Sequence, residues 1–112
     1  MNAVFTSNVL VCRGGSCTAD RFAGGSGVSI DADGKLRGVS VNSGPGAALE
    51  ELAATIPNRR IGVSTVAEIE ANGATVVAAP APNNRYHCIM GGITPQQAEQ
   101  LFTPTVPNPN LP

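Results

Sequence analysis

This 112-residue chain is short of charge: Asp, Glu, Lys and Arg make up 13% of it, where about 25% is usual. Seven basic and eight acidic residues leave a net charge of −1. That excludes bulk electrostatic attraction to nucleic acid or to an anionic membrane, though not a small local basic site. No apolar run approaches the roughly 18 residues that span a bilayer. Met1-Asn2-Ala3 also lacks the basic start of a signal peptide. The expectation is a soluble domain with no membrane partner, secreted or delivered into a target-cell cytoplasm only as part of a larger protein. Cysteine is scarce and odd in number. Cys12, Cys17 and Cys88 exclude a pure disulfide framework and leave room for one bridge. A zinc site would need all three cysteines and the single histidine, His87, but adjacent His87 and Cys88 point to opposite faces of a strand. No metal is expected.

In place of charge the chain carries Ser, Thr, Asn, 13 Gly and 9 Pro. With 42% hydrophobic residues it can bury a modest core in one domain. Val4 to Cys12 is β-branched and apolar, a strand centred on Val9-Leu10-Val11 and broken by Arg13-Gly14-Gly15-Ser16. Thr18 to Phe22 is a helical turn at most. Val28 to Asp31 alternates as a half-buried strand does, and Asp33-Gly34 is a hairpin signal returning through Leu36 to Val41. Ala47 to Thr55 is the best helix, with Leu49, Leu52 and Ala53 on one face. A short strand at 61–64, a helix over 65–71 capped by Asn72-Gly73, and strands over 74–79 and 86–90 follow. Thr94-Pro95-Gln96-Gln97 is a capping box opening a helix to about Phe102. Beyond it, 103–112 reads as a Pro/Asn-rich extended tail, poorly ordered. The order predicts one α+β domain over 1–102, with a small mixed or antiparallel sheet and two or three short helices.

Chemistry can sit in a few places. Arg13 beside Gly14 and Gly15 is a cation next to a turn that a ligand can approach closely, suited to phosphate or carboxylate; the bland alternative is a solvated Arg on a turn. Ser40, Asn42 and Ser43 place hydroxyl and amide groups at a strand end, to orient a ribose or base or to satisfy local backbone. His87 is the simplest general base. With Arg85 and Tyr86 it makes the toolkit of metal-free RNA cleavage, or else is a half-buried histidine bonded to backbone. Gln97-Ala98-Glu99 spells the Gln-x-Glu pair of some ADP-ribosyltransferases, but Gln97 is better explained by the capping box. A pairing of Cys12 or Cys17 with His87 is the weakest nucleophile candidate.

The run Val11-Cys12-Arg13-Gly14-Gly15-Ser16, then Asp33-Gly34, Arg37-Gly38-Val39-Ser40-Val41-Asn42-Ser43, Ile56-Pro57, and Asn84-Arg85-Tyr86-His87-Cys88-Ile89 before Thr94-Pro95, resembles bacterial polymorphic toxin tips over residues 11–102. It is similar to small secreted effectors related to ADP-ribosyltransferase toxins. The resemblance implies a toxin-like effector that uses NAD. Arg13 would contact the dinucleotide phosphates, Ser40 and Asn42 would position the ribose, and Tyr86 or His87 would meet the nicotinamide. A cognate immunity protein is the implied partner. The last strand carries no glutamate, so a second reading stands beside it: a metal-independent RNase in which His87 is the acid or base, Arg13 and Arg85 stabilise phosphate, and Tyr86 stacks on a base of the RNA. A non-catalytic binding module is the third.

Overall fold

The computed structural model describes residues 9–111. The first part of the predicted opening strand, Val4 to Asn8, lies outside them. Six strands form one sheet: β1 (Leu10–Gly14), β4 (Val39–Ser43), β5 (Arg60–Thr65), β6 (Thr75–Ala78), β7 (His87–Gly91) and β8 (Val106–Pro107), in the order β6-β7-β4-β1-β5-β8. Every neighbouring pair is antiparallel. A two-stranded ribbon, β2 (Ser29–Ile30) with β3 (Leu36–Arg37), forms a second sheet, tied to the end of β7 by Leu36, which bonds to Gly92 and Ile93. Four short helices complete the α+β fold: α1 (Ala19–Ala23), α2 (Leu49–Leu52), α3 (Val66–Ala71) and α4 (Pro95–Phe102). That is one more than expected, because Thr18 to Phe22 closes a full turn with Phe22 N–H on the Thr18 carbonyl.

Local chemistry explains several elements directly. The Asp33-Gly34 turn forms its hairpin, with the Asp31 carboxylate accepting the N–H groups of Asp33 and Lys35 and the guanidinium of Arg37. Thr65 caps α3 by accepting the Glu68 N–H, and Thr94 and Gln97 close a reciprocal capping box on α4. Gly38, at φ +77°, splits the predicted return strand into β3 and β4. The break resets the alternation, so Leu36 and Val39, on opposite faces in an unbroken strand, are both buried. A side chain at Gly38 would also sit 2.7 Å from the Gly27 carbonyl. Helix α2 is much shorter than the predicted 47–55, since Ala48 is extended, with its N–H held by the Glu51 carboxylate, and the helix ends at Ala53.

Val11, Val39, Val41, Cys88 and Met90 form one face of the sheet and pack with Phe22, Ile69, Ile93, Ala98 and Phe102. The Phe22 and Phe102 rings lie 5.4 Å apart and tilted, so α1 and α4 meet over this face. Leu52, Ala53, Cys12 and Ile61 are buried apart from that cluster, where α2 covers part of the opposite face. Two expectations are corrected. Arg13 and Gly14 do not break β1 but continue it, paired with Gly62 and Ile61. The tail is not loose: Val106–Pro107 adds a strand to β5, and buried Asn108 donates to the carbonyls of Ile56 and Asn58. No helix among the described residues is long and apolar enough to cross a membrane.

Candidate functional site

The end of β1 is where the sheet opens. Its pairing with β4 stops at Cys12–Asn42, while its pairing with β5 continues to Gly14. Arg13 occupies the gap. Its guanidinium lies 5.3 Å from the Phe22 ring centroid, and Nη1 donates to the Ser40 carbonyl at 2.6 Å. Burial lowers the Arg13 pKa, and an arginine remains charged under such a shift. The result is a partly dehydrated cation held by the sheet.

In front of it is a cleft of about 590 Å³, lined by Arg13, Gly14, Gly15, Ser16, Asp20, Arg21, Gly24, Gly25 and Asn58. Its glycines have physical reasons. A Cβ at Gly25 would lie 2.9 Å from Arg13 Nη2, and one at Gly14 would lie 2.3 Å from Asn58 Oδ1. Gly15 takes φ +102°, open to glycine at little cost. Asp20 and Arg21 come from α1, and the Thr18 hydroxyl holds the Asp20 carboxyl below its usual range by donating to it at 2.6 Å. Two guanidinium groups, one carboxylate and a glycine-lined floor suit a ligand carrying both phosphate and hydroxyl groups.

A second groove, about 210 Å³, adjoins the first through Arg13 and Asn58 and is lined also by Cys12, Ser40, Val41, Asn42, Thr55, Ile56, Pro57 and Asn84. Arg13 and Ser40 therefore share a groove. His87 does not line it, but reaches Ser40 from the next strand: its Nε2 is 3.1 Å from Ser40 Oγ and its Nδ1 2.8 Å from the Ala79 carbonyl.

The remaining candidates are placed elsewhere or already engaged. Asn42 is buried, donating to the Leu52 carbonyl and Thr55 Oγ1 and accepting from Asn84. Ser43 is buried and donates to the Leu10 carbonyl. Both hold the sheet together. Tyr86 and Arg85 do not join His87: the Tyr86 hydroxyl meets Glu51 and Arg85, and its ring lies against Gly44. Residues 85 and 86 lie in the turn that His87 N–H closes on the Asn84 carbonyl, so β7 begins only at His87 and Tyr86 is turned away from it. Glu99 accepts the Ala19 N–H and so ties α4 to α1. All three cysteines are free and buried, and burial pushes Cys12 up to about 12, the opposite of a reactive thiolate. No metal-binding cluster occurs among the described residues.

No family model, curated protein or solved structure matches this chain.

Sequence reasoning missed Gly24, Gly25 and Asn58 as cleft residues, and Asp20 beside them. Their one visible signal is a charged pair, Asp20-Arg21, followed closely by a Gly-rich turn. Ala79 was invisible as a partner, since its contribution is a backbone carbonyl.

Proposed function

We propose that this domain is a toxin-like effector that binds NAD at the Arg13 cleft and uses it in ADP-ribosyltransferase-like chemistry. One observation carries the reading: Arg13, the residue the resemblance assigns to the dinucleotide phosphates, stands at the end of the first described strand over a glycine-lined cleft of about 590 Å³, within the roughly 300–1,000 Å³ range of small-ligand sites. Arg13 and Arg21 would share the pyrophosphate, and Asp20 would accept ribose hydroxyls. An immunity protein would act by covering this cleft.

Tightly induced expression in a bacterial host, wild type beside Arg13→Ala, tests it. Growth arrest with falling cellular NAD, both relieved by the substitution, is the expected result. Soluble wild-type protein that neither slows growth nor binds NAD or ADP-ribose by calorimetry would overturn the reading.

A metal-independent RNase stands second, favoured by the orientation of His87. A carbonyl only accepts, so Nδ1 carries the proton and Nε2 is the basic nitrogen. It ranks behind because Ser40 already occupies Nε2 and Arg85 and Tyr86 lie elsewhere. RNA degradation in arrested cells without NAD loss selects it.

A further inference from the structure

We propose that Ser40 and His87 are a nucleophile–base pair that cleaves small carboxylic esters, an activity that does not depend on NAD binding in the Arg13 cleft. The pair has the three parts such chemistry requires: a hydroxyl, a base within hydrogen-bond reach, and a group that orients the base. Ser40 is exposed, and in the neutral imidazole, whose Nδ1 proton goes to the Ala79 carbonyl, Nε2 is left to accept from the Ser40 hydroxyl. The orienting group is thus a backbone carbonyl where the familiar triad has a carboxylate. It is firmly placed, because the Ala79 N–H also donates to the His87 carbonyl at 2.9 Å. Residue 79 grips His87 twice.

The sheet fixes the geometry. Asn42 lies opposite His87 and Ser40 opposite Ile89, so Ser40 and His87 are diagonal neighbours on one face, a spacing that long or aromatic side chains bridge. The groove beside Ser40 has apolar walls at Ile56 and Pro57 and polar ones at Thr55 and Asn84. At about 210 Å³ it suits a short acyl chain and not a long one. Arg13, bonded to the Ser40 carbonyl in the same groove, supplies positive charge near an acyl oxygen as it becomes anionic.

In the first step Ser40 Oγ bonds to the acyl carbon and its proton passes to Nε2. The bond to the leaving alkoxide breaks, and that oxygen takes the proton from the imidazolium. Water then attacks the acyl-serine, giving its proton to Nε2. Ser40 recovers a proton as the carboxylic acid leaves. The Nδ1 proton stays on the Ala79 carbonyl throughout.

The test is reaction of the full chain with an alkyl fluorophosphonate, which phosphonylates activated serines with loss of fluoride, read by intact and peptide mass spectrometry. The expected result is one adduct, on Ser40. Ser40→Ala forms none, and His87→Gln, which keeps a hydrogen-bonding side chain, forms it about 100-fold more slowly. Hydrolysis of 4-nitrophenyl acetate falls in parallel, with thermal melts showing each variant folded. Absence of an adduct on Ser40 of the folded wild type overturns the proposal whatever the variants do, as does an unchanged rate in folded His87→Gln. No NAD is present, so the NAD reading stands or falls separately.

Discussion

Arg13 and Arg85 both lie over an aromatic ring, 5.3 Å from the centroid of Phe22 and 4.8 Å from that of Tyr86. The contact is alike and the surroundings are not. Phe22 is fully buried under the sheet, and the guanidinium above it is partly dehydrated, with its pKa lowered by that burial. Arg85 is fully exposed, and its pKa is raised by the hydrogen bond to the Tyr86 hydroxyl. One guanidinium faces a glycine-lined cleft; the other closes a surface corner with Tyr86 and Glu51. Of the two, only Arg13 combines partial dehydration with an open cleft, so its charge is the less screened by water.

The largest expected effect separates the two arginines outright. Arg13→Ala should weaken ADP-ribose binding about 100-fold, the loss of charge-assisted bonds to phosphate at a partly buried site. Arg13→Lys should recover only part of this, because an ammonium cannot bond in a bidentate fork. Arg85→Ala should leave affinity within about twofold, as exposed ion pairs contribute little. Calorimetric titration of the three variants checks the set, and equal losses at both arginines would erase the distinction.

A second comparison lies within β4. Ser40 and Asn42 share a face, yet Ser40 is exposed and Asn42 is 6% exposed with its amide fully engaged. Asn42→Ala strands the Leu52 carbonyl and Asn84, and should cost about 2 kcal/mol in denaturant melts. ADP-ribose affinity of the folded fraction should not change. A binding defect without a stability defect would move Asn42 from scaffold to site.

Burial around β1 also predicts a pH dependence. The folded Cys12 thiol keeps its proton up to about 12, against an ordinary value of 9.0. Between these values the folded state binds more protons than the unfolded one, so stability is fully present below pH 9 and falls as pH rises toward 12. The slope attributable to this group is about 1.4 kcal/mol per pH unit at most. Urea midpoints across this range should fall less steeply in Cys12→Ala than in the wild type.

What the sequence made legible follows the range of each interaction. The Asp33-Gly34 turn, the Thr94–Gln97 box and the Gly73 helix stop are decided by residues within a few positions and formed as read, though the arms of the hairpin are two residues each and Ile30 is exposed rather than half-buried. Where distant partners decide, local signals misled. Arg13-Gly14 carries a turn composition, but pairing with Gly62 and Ile61 keeps it in β1. The proline-rich tail is held by Arg60 on Thr105 and by buried Asn108. Arg13, Ser40 and His87 were each named from residue chemistry, yet the contact between Ser40 and His87 depends on the β4–β7 register. Tyr86 and Arg85 were grouped with His87 on adjacency alone, which the turn over 84–87 undoes.

The smallest expected effect tests the Arg85 corner itself. Tyr86→Phe removes the hydroxyl that accepts from Arg85 at 2.7 Å and donates to Glu51 at 3.2 Å, while the ring stays against Gly44. Arg85 is fully exposed and Glu51 lies at the surface, so water replaces the lost partners and the melting temperature should stay close to that of the wild type. Glu51 should feel the loss in its titration. Its carboxyl is held low first by the Ala48 N–H and then by the Tyr86 hydroxyl, so the substitution should move its pKa part of the way back up without restoring it. NMR titration of the Glu51 carboxyl reads that shift directly. A large stability loss in Tyr86→Phe would mean that the corner carries structural strain its exposure does not reveal, and a loss of ADP-ribose affinity would tie it to the Arg13 cleft after all.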